Sequence, residues 1–526
     1  MLVKTYGAAL QGIDAITITV EVAVSRGFTY TIVGLPDTAV KESNERVRSA
    51  LRESGYDYPR HSVVVNLAPA DVRKEGSAYD LPIAVAILTS AEIIKTKDLD
   101  TFMIMGELSL DGSILPVRGV LPMAIEARRA GFKAMIVPKA NATEAAVVSD
   151  LNVYGCENLR QVIDLVCGEK PVEPTVVNTR EEFAAASMIF DCDFADVKGQ
   201  DNVKRAFEVA AAGSHNILLV GPPGSGKSMM AKRLPTIMPP LTLREALETT
   251  KIHSVAGKLR RDSRLMSHRP FRSPHHTISP VALVGGGSTP MPGEISLAHN
   301  GILFLDEFPE FTRQVLEVMR QPLEDRHISV ARARYSIDYP ASFMLVASMN
   351  PCPCGYYNHP TKQCTCAPGQ VRRYLSRISG PLLDRIDIQI EILPVPFERL
   401  SSAEAAESSA AIRRRVIAAR AIQQARFADE PDVNCNAQMN SRLIKQWCRL
   451  SDETLTILRQ AMTKFDMSAR AYDRIIKVAR TIADLDPANT AADPAFPISP
   501  IHMREAVNYR NLDRASWGTH SPKSTL

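Results

Sequence analysis

The first part of the chain alternates short runs typical of strands with longer runs of helical spacing. Residues 28–34 and 61–67 alternate apolar and polar side chains as strands do, whereas 42–54 has helical spacing. The pattern extends to about residue 167, and a similar one returns between 194 and 396. Two successive α/β regions are therefore predicted.

The rest of the chain is predicted to be helical. Residues 403–426 are rich in Ala, Glu and Arg, and 451–485 carries apolar residues at helical intervals. A multidomain α/β protein follows, with this proposed division: a first domain at 1–170, a linker at 171–190, an α/β core at 191–396, a helical domain at 397–515 and a tail at 516–526.

Size and composition are those of a multidomain globular protein. A chain of 526 residues is too long for one hydrophobic core. The net charge of +4 neither requires nor excludes a nucleic-acid partner, since a local basic patch can exist within a balanced total. The start of the chain lacks the features of a signal peptide, and the apolar stretch 81–94 is too short to cross a bilayer. A cytoplasmic protein without membrane contact is expected.

A phosphate-binding loop is the clearest motif. The apolar strand 217–220 leads into a glycine-rich turn and then into the helical residues 229–234. Glycines let backbone N–H groups point inward, and the helix N-terminus favours anions. Lys227 is predicted to reach the β- and γ-phosphates of ATP, and Ser228 to ligate Mg²⁺. The predicted nucleotide-binding residues are Gly221, Pro222, Pro223, Gly224, Ser225, Gly226, Lys227, Ser228 and, from the next motif, Asp306.

Two carboxylates follow a second apolar strand at 301–305. Parallel strands deliver such side chains to the edge of the sheet where the phosphate loop lies. Asp306 is predicted to hold Mg²⁺ through water, and Glu307 to orient and polarise the attacking water. The alternative is a solvated acidic turn.

Three further side chains resemble catalytic elements of AAA+ ATPases. Asn350, after the strand 343–349, resembles a sensor-1 asparagine. Arg385 is either an arginine finger for a neighbour's ATP or part of a local ion pair. Arg470 resembles a sensor-2 arginine, and Arg474, one turn later, is the competing candidate.

Four of the nine cysteines lie within fifteen residues and form two C-x-C arms. Four thiolates can close a tetrahedral Zn²⁺ site and stabilise a loop that has little core of its own. Because the C-x-C arms are tighter than the usual spacing, a bridged metal site, an iron site and free thiols are the alternatives to zinc. The predicted structural zinc ligands are Cys352, Cys354, Cys364 and Cys366.

A basic segment at 326–335 is predicted to form a hairpin arm with Arg332 and Arg334 on one face. In a ring ATPase such an arm can contact DNA phosphates, although a solvated face is the simpler explanation. The pair His275 and His276 is a weaker candidate for DNA contact, and for metal binding it lacks an evident third ligand.

Taken together, these motifs strongly resemble the bacterial magnesium-chelatase-like AAA+ proteins called ComM or YifB. The resemblance covers nearly the whole chain and is carried by residues 221–228, 269–277, 292–301, 350–355, 382–387 and 478–485. It implies an AAA+ P-loop core followed by a helical lid domain.

The first domain resembles the S5-type α/β domain of Lon protease, through residues 105–116 and 129–138. Lon-type proteolysis needs a serine activated by a lysine. Here Ala78 stands at the serine position with Ser77 one place off, and Leu121 stands at the lysine position. A non-proteolytic scaffold is expected, as in the similar domain of the RadA recombination protein.

The family resemblance implies a homohexameric ring that encircles branched DNA and migrates the branch during natural transformation, extending pairing begun by a recombinase. DNA helicase or branch-migration activity driven by ATP is the corresponding expectation. Two alternatives are a magnesium chelatase motor subunit and a protein remodeler. The remodeler would grip its client with a pore aromatic, for which Phe271 and Tyr335 are candidates.

Overall fold

A computed structural model gives the fold. It describes these residues: 1–170, 172–177, 183, 190–259, 264–287, 290–332, 335–357, 359, 361–395, 406–465 and 467–510. The proposed tail 516–526, most of the proposed linker 171–190 and Arg334 lie outside the described residues. The side chain of Arg332 also lies outside them.

The N-terminal region folds around a mixed sheet. Its strands are β1 (Leu2–Gln11), β2 (Asp14–Ser25), β3 (Tyr30–Val33), β4 (Ser62–Ala68), β5 (Phe102–Ile104), β6 (Glu107–Leu108), β7 (Ile114–Leu115), β8 (Ala134–Pro138) and β9 (Asn152–Cys156). Its helices are α1 (Thr38–Lys41), α2 (Ser43–Glu53), α3 (Asp80–Ser90), α4 (Val120–Arg129), α5 (Lys139–Ala145) and α6 (Leu159–Cys167). The sheet order is β3–β4–β2–β1–β5–β8–β9, and β6 and β7 form a separate hairpin.

Helix α3 explains the most apolar stretch of the sequence. Ten of its eleven residues are buried against the sheet, so this helix is apolar on all sides because it lies inside the domain. Among the described residues, no helix is long and apolar enough to cross a membrane.

The middle region contains a second, parallel sheet. The strands of this region are β10 (Ile217–Val220), β11 (Phe271–Arg272), β12 (Gly285–Gly286), β13 (Met291–Pro292), β14 (Ile302–Leu305), β15 (His327–Arg332), β16 (Tyr335–Pro340), β17 (Met344–Met349) and β18 (Ile388–Glu391). Its helices are α7 (Asp201–Gly213), α8 (Lys227–Ile237), α9 (Leu243–Val255), α10 (Pro280–Val284), α11 (Glu294–Leu297), α12 (Arg313–Val318), α13 (Arg320–Asp325), α14 (Pro368–Leu375) and α15 (Gly380–Leu383).

The parallel sheet has the order β11–β14–β17–β10–β18. Every residue of β10, β14 and β17 is buried, as expected for strands covered on both faces. Val220 pairs with Met349 across one ladder and Leu305 with Ala347 across the next. The carboxyl ends of these three strands therefore meet at one edge of the sheet.

The predicted basic hairpin is present as an antiparallel pair of β15 and β16, in register from His327 opposite Pro340 to Arg332 opposite Tyr335. Tyr339 is buried and its hydroxyl donates to the carbonyl of Pro290, which ties the base of the hairpin to the core.

The C-terminal region is helical, as predicted, with α16 (Ser409–Arg426), α17 (Ser441–Trp447), α18 (Asp452–Phe465), α19 (Ala469–Asp484) and α20 (Pro500–Asn508). Helix α16 begins at Ser409 because Ser408 caps it by accepting from the N–H of Ala411, and residues 403–405 of the predicted helical stretch lie outside the described residues. Helices α16 and α19 both pack against α7.

A buried ion pair holds the helical region together. Arg426 and Asp484 are both fully buried and make a bidentate contact. Asn436 donates to the same carboxylate at 2.8 Å, and Arg480 at 3.1 Å. A buried charge pair of this kind is tolerated because its remaining hydrogen-bonding capacity is used.

The N-terminal region contacts the parallel-sheet region through α4 and α9. The N–H of Gly119 donates to the carbonyl of Ser254 at 3.2 Å, and the Ser254 hydroxyl donates to Glu144. Lys251 also pairs with Asp14. The two regions are therefore joined by polar contacts as well as by the chain.

Candidate nucleotide site

The phosphate loop has the backbone that its glycines predict. Gly224 and Gly226 have φ values of 77° and 88°, in the left-handed region that favours glycine. Helix α8 begins directly after them at Lys227. The loop thus ends on a helix N-terminus, whose free N–H groups and dipole favour a phosphate.

Lys227 is held over the loop by oxygen acceptors. Its ammonium group donates to the carbonyls of Gly221 and Pro222 at 2.8 and 2.9 Å, and to the side-chain oxygen of Asn350 at 3.2 Å. Burial lowers the pKa of Lys227, while the charge of Asp306 opposes that shift. The lysine and the candidate sensor asparagine are therefore neighbours across the site.

The candidate magnesium-binding pair is already assembled. The Ser228 hydroxyl donates to Asp306 at 2.7 Å. Ser348, on β17, donates to the other oxygen of the same carboxylate. Sequence reasoning missed Ser348, although it stands two residues before Asn350 and so faces the same side of the strand. A hydroxyl and a carboxylate at this spacing fit Mg²⁺, which prefers oxygen ligands.

Glu307 adopts the left-handed conformation at a φ of 53° and leaves its side chain 60% exposed. The carboxylate lies 3.3 Å from Nδ1 of His276. The ring of His276 lies beside that of His275 at an angle of 35°, with centroids 4.1 Å apart. The glutamate predicted to activate water and the predicted histidine pair are thus in direct contact.

The structure places Arg385 away from the nucleotide loop of its own chain. It is 4% exposed, contacts Glu324 at 2.6 Å and donates to the carbonyl of Pro381. Arg385 precedes β18, which runs parallel to β10, whereas the loop follows β10. The first and last of the four paired residues are already about 10 Å apart along the strand, and Arg385 and the phosphate loop lie beyond them in opposite directions. Arg385 thus makes a local ion pair with Glu324 rather than with Asp384 or Asp387, the aspartates nearest to it in the sequence.

The two sensor-2 candidates have different surroundings. Arg474 makes an ion pair with Asp387, immediately before β18. Although burial opposes it, the neighbouring Arg474 and His215 lower the pKa of Asp387. Arg470 is exposed in the first turn of α19. Arg474 is thus engaged at the amino end of the sheet, on the opposite side from the phosphate loop.

The four clustered cysteines converge. Their sulfur atoms all lie within 4.8 Å of one another, and the Sγ of Cys352 is 3.3 Å from Cys354 and 3.7 Å from Cys364. The N–H of Cys354 also donates to the sulfur of Cys366 at 3.4 Å. A tetrahedral zinc–thiolate site with bonds of about 2.3 Å has sulfur–sulfur edges of about 3.8 Å. The donor set therefore fits zinc.

The cysteine loop rests on the phosphate loop. A single residue, Pro351, separates Asn350 from Cys352. Gly355 approaches so closely that a Cβ there would lie 2.5 Å from the ring of Pro223. The order of the cysteine loop and the shape of the nucleotide site are therefore mechanically connected.

The Lon-like positions show no serine–lysine pair at the places that sequence matching indicated. Leu121 is fully buried on α4, and Ala78 is half-buried. The nearest lysine in sequence to Ser77 is Lys74, whose ammonium donates to the carbonyl of Pro69. Burial lowers the pKa of Lys74.

Comparison with known proteins agrees with this architecture. Three family models match: "Subunit ChlI of Mg-chelatase" at 20–141, "Magnesium chelatase, subunit ChlI" at 193–400 and "Magnesium chelatase, subunit ChlI C-terminal" at 406–510. The parallel sheet, its phosphate loop and the helical C-terminal region define a magnesium-chelatase-like AAA+ protein.

Full-length relatives narrow this class. The uncharacterized protein YifB of Salmonella typhimurium is 44% identical over 508 residues, which are 96% of each chain. The competence protein ComM of Haemophilus influenzae is 42% identical over 519 residues, which are 98% of each chain. The chain belongs to the ComM/YifB family. The archaeal Lon protease of Thermococcus kodakarensis is 28% identical over 145 residues, 27% of this chain and 22% of that protease.

We expect Ser348→Ala to weaken binding of Mg²⁺–ATP about tenfold, because a charge-assisted hydrogen bond to Asp306 is lost. Binding of ATP in EDTA should change little. Equilibrium titration with a fluorescent ATP analogue, with and without Mg²⁺, measures both affinities. Ser296→Ala, at a buried serine of α11, is the matched control. Equal weakening with and without Mg²⁺ would assign Ser348 a general packing role instead.

Proposed function

We propose that this protein is an ATP-dependent, homohexameric DNA motor that promotes branch migration in homologous recombination during natural transformation. The observation that carries the proposal is the separation of two groups of residues. Lys227, Ser228, Asp306 and Asn350 meet at one edge of the parallel sheet, and Arg385 lies at the other end of β18.

ATP hydrolysis is supported by the first group. The loop N–H groups and Lys227 would neutralise the phosphates, and Ser228 and Asp306 would hold Mg²⁺, whose charge stabilises the leaving phosphate. Glu307 would orient water, and His276 is in position to hold its carboxylate. Asn350 would contact the γ-phosphate, because its side chain already contacts Lys227, the residue that would bind this phosphate.

A ring is supported by the position of Arg385. Because this guanidinium is remote from its own phosphate loop, it can contribute to catalysis only at a nucleotide bound by another copy. Interfaces of this head-to-tail kind form rings when the rotation between neighbouring copies closes. A neighbour would have to draw Arg385 from Glu324, which is partly exposed and so can be solvated when the ion pair opens.

DNA as the track is supported by family membership and by the basic hairpin. A relative that matches over nearly its entire length is named a competence protein. Arg332 stands at the end of the ladder between β15 and β16, and Arg334 follows it two residues later in the sequence. Branched DNA paired by a recombinase is the proposed substrate.

A structural zinc ion is the proposed second metal. Cys352, Cys354, Cys364 and Cys366 would supply four thiolates, which leaves no position open for catalysis. When bound, zinc crosslinks the two arms of the loop. Because Gly355 packs closely against Pro223, an ordered cysteine loop would also help to fix the position of the phosphate loop.

We expect Glu307→Gln to lower the ATPase turnover number at least about 100-fold, because water activation is lost. The affinity for ATP should stay within about twofold, since the carboxylate does not hold the phosphates. Steady-state phosphate release and nucleotide titration measure the two quantities. Glu310→Gln, an exposed glutamate three residues later, is the control. Unchanged turnover in Glu307→Gln would remove the catalytic role assigned to this residue.

We expect four-way-junction DNA to stimulate the ATPase of the wild-type chain, with a steep dependence on salt concentration. The double variant Arg332→Ala/Arg334→Ala should lose that stimulation and keep the basal rate. The matched control is Arg128→Ala/Arg129→Ala, which removes two arginines from α4 and should behave as wild type.

The same assay separates the motor from a protein remodeler. No stimulation by junction, forked or single-stranded DNA, together with stimulation by an unfolded polypeptide, would contradict the DNA proposal. Stimulation that survives in Arg332→Ala/Arg334→Ala would leave the motor intact but remove the hairpin from its DNA contact.

We expect the purified chain to contain one zinc ion and Cys364→Ser to lose it. Zinc measured by mass spectrometry and the thermal midpoint should both fall in the variant, and nucleotide affinity should fall with them through the Pro223 contact. Cys167→Ser, at a half-buried cysteine outside the cluster, is the control. Equal metal content in the two variants would contradict the zinc site.

A further inference from the structure

A polar cavity lies at the amino ends of the parallel strands, on the opposite side of the sheet from the phosphate loop. Its volume is about 320 Å³. The residues just before four strands line its floor: Asn216 before β10, Gly301 before β14, Phe343 before β17 and Asp387 before β18. The roof comes from helices α16 and α19 and from the segment 434–440 between α16 and α17, so the cavity is a gap between two regions of the chain.

The lining has more positive than negative charge. Among the described residues, five cations and three carboxylates face the cavity: Arg269, Arg326, Arg420, Arg474, Lys477, Glu245, Glu324 and Asp387. Arg269 is paired with Glu245, and Arg474 with Asp387. Glu324, the third carboxylate, is paired with Arg385. Each of these three carboxylates is therefore already paired with an arginine.

The other three cations donate hydrogen bonds to uncharged acceptors. Arg326 and Lys477 both donate to one backbone oxygen, the carbonyl of Ala437, at 3.3 and 3.2 Å. Arg420 donates to the carbonyls of Ala211 and Ala212 and to a serine hydroxyl. A carbonyl oxygen accepts a hydrogen bond from a cation but does not neutralise its charge. The cavity therefore has a local excess of positive charge.

The protonation energetics agree with this excess. Burial lowers the pKa of Lys477 to about 8; Asp387 and Asp473 oppose the shift, and Arg474 and Arg326 add to it. Burial also lowers the pKa of Arg326 and of Arg420. Each cation is therefore less stable here than in water, and an anion in the cavity would relieve all three.

We infer that this cavity binds a small phosphate-bearing anion. Arg326, Arg420 and Lys477 supply the charge, and amide side chains at 434, 438 and 440 supply further polar contacts. Arginine forks and a lysine ammonium match phosphate oxygens. The volume exceeds that of one phosphate ion, so a phosphate with an organic group, such as a nucleoside monophosphate, also fits.

The position of the cavity gives binding a structural consequence. Arg326 belongs to the parallel-sheet region, whereas Arg420 and Lys477 belong to the helical region. An anion held by all three would join the two regions. Glu324 faces the same cavity and holds Arg385, so the occupied cavity borders the proposed interface with the next copy.

The test uses the full-length chain carrying Lys227→Ala, so that phosphate bound at the nucleotide loop does not contribute. Inorganic phosphate, pyrophosphate and adenosine monophosphate are titrated by calorimetry, and the thermal midpoint is measured at the same ionic strength in chloride. We expect one anion per chain and a higher thermal midpoint. The preferred probe distinguishes free phosphate from a phosphate ester.

Adding Lys477→Gln should weaken the binding about tenfold or more, because a charged hydrogen-bond donor is removed. Without the anion this variant should be at least as stable as its parent, since it loses a buried charge without an acidic partner. Arg326→Gln provides a second, independent variant from the other side of the cavity. Arg459→Gln, at an exposed arginine on α18, is the control and should bind as the parent does.

Two results would overturn the inference. One is the absence of binding of all three probes to the Lys227→Ala chain. The other is equal affinity in the parent, Lys477→Gln and Arg326→Gln. Because the nucleotide loop is disabled throughout, neither result bears on the proposed ATPase or its DNA track.

Discussion

The parallel pairing of β10 with β17 is the constraint on which the rest of the molecule depends. It aligns Val220 with Met349, so the phosphate loop and Asn350 leave the sheet side by side. The next ladder brings Asp306 to the same edge. Because every residue of these strands is buried, a shift in register would draw flanking polar residues such as Asn350 into the sheet interior as well as separate the catalytic groups. Packing and chemistry therefore select the same arrangement.

The same direction of the strands gives the sheet two functional ends. The carboxyl ends carry the groups that would bind and hydrolyse ATP. The amino ends carry Arg385, the ion pair of Arg474 with Asp387, and the cationic cavity covered by the helical region. The sheet, the contact between α8 and α16, and a neighbouring copy can each connect the two ends, which suits the proposed enzyme, whose nucleotide sites would lie between copies.

Sequence predicted the parts of this site that are local. Some motifs are short and consist of residues that are close in sequence, so their chemical role can be predicted without knowledge of the fold. These are the phosphate loop, Asp306 with Glu307, and the cysteine arms. Ser348 and Glu324 were missed because their importance depends on strand order and on contacts over long sequence separations. The cavity was missed for the same reason, since the three cations proposed to bind the anion, Arg326, Arg420 and Lys477, come from three separate parts of the chain. The different surroundings of Arg470 and Arg474 likewise depend on the packing of α19.

The central claim, that the site is completed by a second copy, is tested most directly by mixing two inactive variants. Lys227→Ala removes phosphate binding, and Arg385→Ala removes the proposed finger. In a randomly mixed ring, about a quarter of the interfaces combine an intact Lys227 with an intact Arg385. We predict that ATPase activity, absent from each variant alone, reappears on mixing, and that Arg377→Ala, at an exposed arginine, is active without mixing. A mixture as inactive as its components would contradict the account.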